Sequence, residues 1–275
     1  MILITAILIF ILGTAVGSFL SVVLYRIRNR KKGIFLSRSI CPHCDKTLKW
    51  IHLVPILSYV FLKGKCAFCN KRISIRYFLL ELITGLTFLA VFLQWNFVDE
   101  VYSIVDPDIT NYLVNWATFE YFIFYLILSV FLIAIFFYDI LYKEIPDRLS
   151  IPAIAIAIAG GLTVGTPEPL DMLIGGCAIF GFFGLQYALS KGKWIGGGDL
   201  RMGALIGVIL GLYKSLGALA IAYIGGTILL LPLIILKKIH KKSEVPFGPF
   251  LVIATFIMLF FGDEIISWYL SFLYA

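Results

Sequence analysis

The chain has 275 residues, 61% of them hydrophobic and 14% charged, with a formal net charge of +7. Soluble domains run nearer about half apolar and about a quarter charged. This balance excludes a water-soluble globular protein and points to a polytopic membrane protein, whose element lengths follow the bilayer.

The first apolar run is Ile2 to Leu24. No basic stretch precedes it, no A-x-A cleavage pattern follows it, and its positive charges begin after it at Arg26. It reads as a retained span entered from outside rather than a signal peptide. The polar stretch 26–76 comes next, rich in Lys and Arg against one acid, Asp45. Further apolar runs cover Tyr77–Val98, Phe119–Tyr138, Ser150–Val164, Met172–Leu189, Leu200–Leu212, Leu216–Leu236 and Phe250–Phe272. The pattern predicts an all-α polytopic membrane protein of about eight transmembrane helices. The Leu200–Leu212 run is short for a span and reads as a tilted or dipping helix. Gly160-Gly161, Gly175-Gly176 and Gly225-Gly226 read as packing glycines that let helices approach.

With eight spans the inside loops are 26–76, 139–149, 190–201 and 237–247, and every Lys and Arg except Lys214 falls in them. The outer loop 99–115 carries Asp99, Glu100, Asp106 and Asp108 and no base. The positive-inside bias therefore places both termini outside. The net charge reports orientation and attraction to anionic membrane lipids, and needs no nucleic acid. The chain divides into a first helix, 1–25, a cytosolic loop, 26–76, and a membrane core, 77–275.

Within that loop stand Cys41-Pro42-His43-Cys44 and Cys66-Ala67-Phe68-Cys69. Two CxxC pairs at this spacing predict a tetrahedral zinc site on Cys41, Cys44, Cys66 and Cys69. The rival is a pair of disulfides, which a reducing cytosol opposes. Four thiolates leave no open coordination position, so the zinc is structural, closing a loop too small for its own core. Gly64 suits the second knuckle. His43 and His52 read as surface residues, and Cys177, inside a span, as a small buried hydrophobe.

Two carboxylates fall at the inside edge. Asp139 ends the Phe119–Tyr138 run, and Asp199 follows Gly196-Gly197-Gly198. Ionisable groups in such places mark function, and a pair of them is the minimum equipment for aspartyl general acid–base work. Each has a plainer reading. Asp139 could pair with Lys143 four residues on. Asp199 could cap the helix after a glycine turn whose residues permit positive φ and close approach. A phosphate loop is a poorer fit, because no Lys-Ser/Thr follows. Asp147, after Pro146, reads as a helix cap.

In this order the residues resemble the type IV prepilin peptidases, a family of membrane aspartyl proteases. The resemblance covers nearly the whole chain: Gly17-Ser18-Phe19-Leu20 with Tyr25-Arg26, Ser37-Arg38-Ser39, the two CxxC pairs around Pro55-Ile56-Leu57-Ser58-Tyr59, Ile73-Ser74, and Glu81. It continues through Asp139 with Ile145-Pro146-Asp147, the Gly-Gly-Gly-Asp199 form of a GxGD motif, and Pro246-Phe247-Gly248-Pro249-Phe250. It implies a bacterial inner-membrane enzyme with Asp139 and Asp199 as the catalytic pair and Asp147, Gly196, Gly197 and Gly198 as neighbours. It implies cleavage of the basic leader of prepilins or pseudopilins on the cytosolic side, then N-methylation of the new N-terminus from S-adenosylmethionine. Glu81 is the candidate for the methyl-transfer site, with an ion pair to Arg76 as the plainer alternative. Ser21, Phe78 and Arg201 stand where the family commonly has Asn, Pro and Lys. The rival class is a membrane transporter or an assembly scaffold with a zinc knob.

Overall fold

The structure is a computed structural model describing residues 2–29, 40–41, 43–44, 46–102, 110–236 and 245–273. Ser37-Arg38-Ser39, Pro42, Asp45, Asp106, Asp108 and most of loop 237–247 lie outside the described residues. Among the described residues seven helices are long and apolar enough to cross a membrane. The chain forms two compact units, Met1–Val130 and Phe131–Ala275.

In the first unit α1 (Ile2–Arg28) packs antiparallel against α3 (Ile75–Gln94). Small residues set the approach. A Cβ on Gly13 would lie 2.8 Å from Gly85 Cα, and one on Gly17 would lie 2.8 Å from Glu81 Cα. Glycines one helical turn apart on one face bring two backbones together in lipid, where packing replaces the hydrophobic drive. Between these helices lie a 3-10 turn (Trp50–His52) and the short α2 (Leu57–Phe61).

After α3 the chain is not wholly helical. Two strands, β1 (Val98–Tyr102) and β2 (Thr110–Val114), pair antiparallel in register Val98 to Val114. The aromatics around it explain why the hairpin holds. Phe97 sits between Phe92 and Phe122, and Trp95 stacks on Tyr125 at 4.1 Å. The helix α4 (Trp116–Tyr142) then runs from the first unit into the second.

The second unit holds the end of α4, α5 (Asp147–Val164), α6 (Pro169–Ser190), α7 (Gly197–Ile235) and α8 (Gly248–Leu273). As one rod, the 39 residues of α7 would reach about 58 Å, nearly twice a bilayer core of about 30 Å. It is not one rod. Gly211 has φ 71° and ψ −173°, outside helical space. Before the break, Gly203 faces Phe183 and Gly207 faces Gly175, so this arm runs antiparallel to α6. After it, the Tyr223 hydroxyl donates to Gln186 at 3.3 Å. Tyr223 is thus back at the level of α6 from which the first arm set out. The second arm continues antiparallel to α8, with Lys214 on Asp263 at 2.8 Å and Gly217 on Met258.

The two arms, 197–210 and 212–235, make α7 a helical hairpin. The apolar runs Leu200–Leu212 and Leu216–Leu236 are accordingly separate crossings, which turns seven helices into eight. Asp171 supports the break. Its carboxylate accepts the Leu212 N–H at 2.9 Å, and a Cβ on Gly211 would collide with it. Among the expected packing glycines, Gly175 and Gly176 do face the first arm of α7, whereas Gly225 has nothing within 4 Å. Cys177 lies exposed on α6, not buried as its small apolar side chain suggests.

Candidate active site and metal centre

Asp139 does not end its helix. α4 continues to Tyr142 and stops where Lys143 turns left-handed, φ 55°. Asp139 is therefore enclosed within the last turn and is 4% exposed. Among the described residues it makes no ion pair with Lys143. Its carboxylate instead lies against Gly248, the first residue of α8. Only glycine fits there, because a Cβ would come 2.5 Å from Asp139 Oδ2 and 3.3 Å from Ile145 Cδ1.

Asp199 stands in the first turn of α7. Its Oδ2 accepts the Gly196 N–H at 3.1 Å, so it does cap the glycine turn. The glycines themselves serve differently from expectation. None of Gly196, Gly197 and Gly198 has positive φ. Gly198 is needed for close approach, since a Cβ would lie 2.9 Å from Ile145 Cβ, while Gly197 has open space. Ile145 thus wedges between the starts of α7 and α8. Across this wedge Asp139 and Asp199 lie within coulombic reach of each other. Both carboxylates meet the N-terminal end of a helix, where backbone N–H groups and the macrodipole favour negative charge.

Asp147 is placed differently from its sequence reading. The cap position of α5 belongs to Pro146, and no side chain caps it. Asp147 is the first helical residue, and its carboxylate pairs with Arg201 of α7 at 2.5 Å. Arg201 Nη2 also donates to the Ile145 carbonyl at 3.3 Å. The charge two residues beyond Asp199 thereby ties down the Ile145-Pro146-Asp147 connection. The sequence carried each partner in a motif, yet nothing in it showed that they meet.

In the first unit the four cysteines converge. The sulfurs of Cys41, Cys44, Cys66 and Cys69 all lie within 4.8 Å of one another, with Cys41 and Cys69 at 4.0 Å. Zinc–sulfur bonds of about 2.3 Å in a tetrahedron set sulfurs about 3.8 Å apart, so the donor set fits zinc. All four thiols are free in the structure, and the four sulfurs gather at one point instead of closing as two separate pairs. The two knuckles share one design. Cys41 N–H bonds Lys46 O at 3.0 Å and Cys66 N–H bonds Lys71 O at 2.9 Å. Bridges Ile40–Thr47 and Lys65–Arg72 close the two ends. The backbone N–H groups of Phe68 and Cys69, aimed at the Cys66 sulfur, hold that thiol down at about 7 and favour the thiolate that a metal needs. His43 is exposed and outside the sulfur cluster. His52 is half-buried, edge-on to Phe68 at 5.3 Å, rather than a free surface residue.

Glu81 is buried in the second turn of α3. Arg76 does not pair with it, because Arg76 Nε donates to Ser74 Oγ at 2.9 Å. Glu81 Oε2 accepts the Ile56 N–H at 2.7 Å, and Ser18 of α1 lies beside the same carboxylate. Ile56 has φ 61° and ψ −55°, and Leu57 N–H reaches back to Pro55 O at 2.5 Å. This is a γ-turn with positive φ at a β-branched residue, a strained conformation that its surroundings must hold. Of the departures from the family pattern, Ser21 donates to Ser18 O at 2.7 Å and Phe78 packs on Tyr59 at 5.4 Å.

Residues 11–95 match the Bacterial Peptidase A24 N-terminal domain, and residues 126–231 match the Type IV leader peptidase family. A Bacillus subtilis (strain 168) protein described as a prepilin leader peptidase/N-methyltransferase is 30% identical, over 96% of this chain and 97% of that protein. One of the same description from Legionella pneumophila is 30% identical over 94% and 92%, and one from Aeromonas salmonicida (strain A449) 28% over 96% and 93%. No solved structure matches the chain significantly. Similarity over nearly the full length of both proteins, at this identity, establishes the assignment: the chain belongs to the type IV leader peptidase family.

Proposed function

We propose that the chain is a membrane aspartyl endopeptidase of the bacterial inner membrane that removes the basic leader of prepilins or pseudopilins and then N-methylates the product. The observation that supports it most is the convergence of Asp139 and Asp199 beside the Ile145 wedge. One carboxylate takes a proton from water as the water oxygen bonds the scissile carbonyl carbon. The other carboxyl group donates its proton to the carbonyl oxygen. Collapse of the tetrahedral intermediate breaks the C–N bond: the departing nitrogen takes up the proton that the water lost, and a hydroxyl of the intermediate returns a proton to the carboxylate that had donated one. The site is apolar and enclosed on Asp139's side, which excludes bulk water and strengthens each charge.

The basic loops support a site at the cytosolic face, with both termini outside. A four-sulfur zinc in the 26–76 loop has no free position and orders the loop rather than acting on water. S-adenosylmethionine supplies the methyl group for the second step. Glu81 is the one buried acid of the first unit among the described residues, and a carboxylate is the partner suited to a sulfonium or to a free α-ammonium.

Asp139→Asn and Asp199→Asn are the test. Each should abolish leader removal in purified protein that inserts normally and keeps its zinc. Full cleavage by either variant overturns the reading.

A further inference from the structure

Between the two CxxC knuckles the chain displays apolar side chains that nothing in the described protein covers. Trp50 is 78% exposed and Phe61 is 79% exposed, and Ile51, Leu57 and Val60 are each more than half exposed. On α2 the exposed residues Leu57, Val60 and Phe61 fall at i, i+3 and i+4, so they share one helix face. The other side is engaged: Tyr59 packs on Phe78 and bounds the space at Gly64. The short helix is therefore amphipathic with its apolar face turned outward. Contiguous exposed apolar surface of this kind marks an interaction site.

The depth of this segment identifies what covers it. Helix α3 has 20 residues, about 30 Å, which is the thickness of the hydrocarbon layer and no more. Glu81 lies six residues past its start at Ile75, about 9 Å along the axis. Glu81 accepts the N–H of Ile56 directly, so the chain just before α2 lies within one glutamate side chain's reach of that level, toward the start of α3. A segment beside the second turn of a minimal span is below the headgroup rim. Backbone at such a depth must have its donors satisfied internally. Three donors at this level are: Ile56 N–H by Glu81, Leu57 N–H by Pro55 O, and Ser58 N–H by Val54 O at 3.0 Å. Lys49 precedes the run and Lys63 and Lys65 follow it, all exposed. Apolar residues in the acyl boundary with lysines at both ends is the composition of an element lying in the plane of an anionic membrane.

We propose that residues 50–61 form an in-plane membrane element dipping into the bilayer the protein spans, with Lys49, Lys63 and Lys65 on acidic headgroups and Glu81 holding its inner edge. The element moors the zinc-closed loop to the lipid surface. This inference stands on unit-one geometry and does not depend on the peptidase reading.

The test places the photo-cross-linker p-benzoylphenylalanine at Phe61, and separately at Val60, in the full chain reconstituted into phosphatidylglycerol vesicles. Irradiation should give lipid adducts at both positions and none at His43, which is exposed in the first knuckle. Lys49→Gln/Lys63→Gln/Lys65→Gln should lower the lipid adduct about tenfold or more while zinc content stays unchanged. An adduct to a second copy of the chain, an adduct formed only after a pilin is added, or absence of adduct at both positions would each overturn the proposal. Equal lipid adduct in the triple variant and its parent would overturn the headgroup assignment.

Discussion

Gly248→Ala isolates a single contact in the candidate active site. The added methyl would stand 2.5 Å from Asp139 Oδ2, 3.2 Å from its Cγ and 3.3 Å from Ile145 Cδ1. Ordinary contact requires about 3.4 Å or more, so the carboxylate or the start of α8 must retreat by about 1 Å. Alanine keeps the backbone N–H of Gly248, so the loss comes from displacement and not from a missing donor. A misplacement of about 1 Å costs a catalytic constellation on the order of 100-fold in rate. The assay is leader removal from a purified pilin substrate, read by mass spectrometry as kcat/KM, with zinc content and melting temperature alongside. Gly197→Ala is the internal comparison. Its Cβ meets no atom within 4 Å, and alanine favours a helix over glycine by about 1 kcal/mol. That variant should cleave like the parent and melt no lower. A Gly248→Ala enzyme within threefold of the parent, or a Gly197→Ala enzyme equally damaged, would refute the steric reasoning.

Three further outcomes are expected. Protein purified without added metal should carry one zinc per chain. Cys41→Ser should release it and open loop 26–76 to proteolysis, both readable by elemental analysis and limited digestion. Asp147→Asn, which breaks a pair that is largely exposed on the Asp147 side, should change cleavage only a few-fold. Arg201→Gln should add little to that loss in the double variant, and fully additive losses would show the pair is not coupled. Withholding S-adenosylmethionine should leave cleavage intact and the product unmethylated. Cleavage that stops with the cofactor would show that the two steps are one.

Much of the membrane architecture was legible because the bilayer imposes a length on every span. The short run Leu200–Leu212 emerged as a separate crossing, since its boundary is a glycine in a conformation that other residues avoid. The four cysteines were legible because metal geometry constrains spacing. The catalytic candidates could be named but not placed. That Gly248 packs on Asp139, or that Ile145 touches both Gly198 and Gly248, depends on contacts far apart in sequence. The plainer readings also failed where long-range partners outbid local ones. Asp147 follows proline like a cap yet reaches Arg201, and Glu81 neighbours Arg76 yet binds Ile56. The hairpin in loop 99–115 was missed because its support is aromatic packing from α3 and α4 and not an alternating strand pattern.

The hairpin in α7 sets a thickness problem for the surrounding lipid. Its first arm, 197–210, rises about 21 Å, some 10 Å less than a typical hydrocarbon layer. At its far end are the break at Gly211 and the Lys214–Asp263 ion pair, groups that belong near water. Such hydrophobic mismatch is met by thinning the bilayer around the helix or by letting water in at its ends. The end that carries Asp199 is one of the two. A hydrolase buried among apolar helices must obtain its second reactant from somewhere, and a half-length helix beside the carboxylates provides that route. Peptidase turnover should then fall as the acyl chains of the host membrane are lengthened.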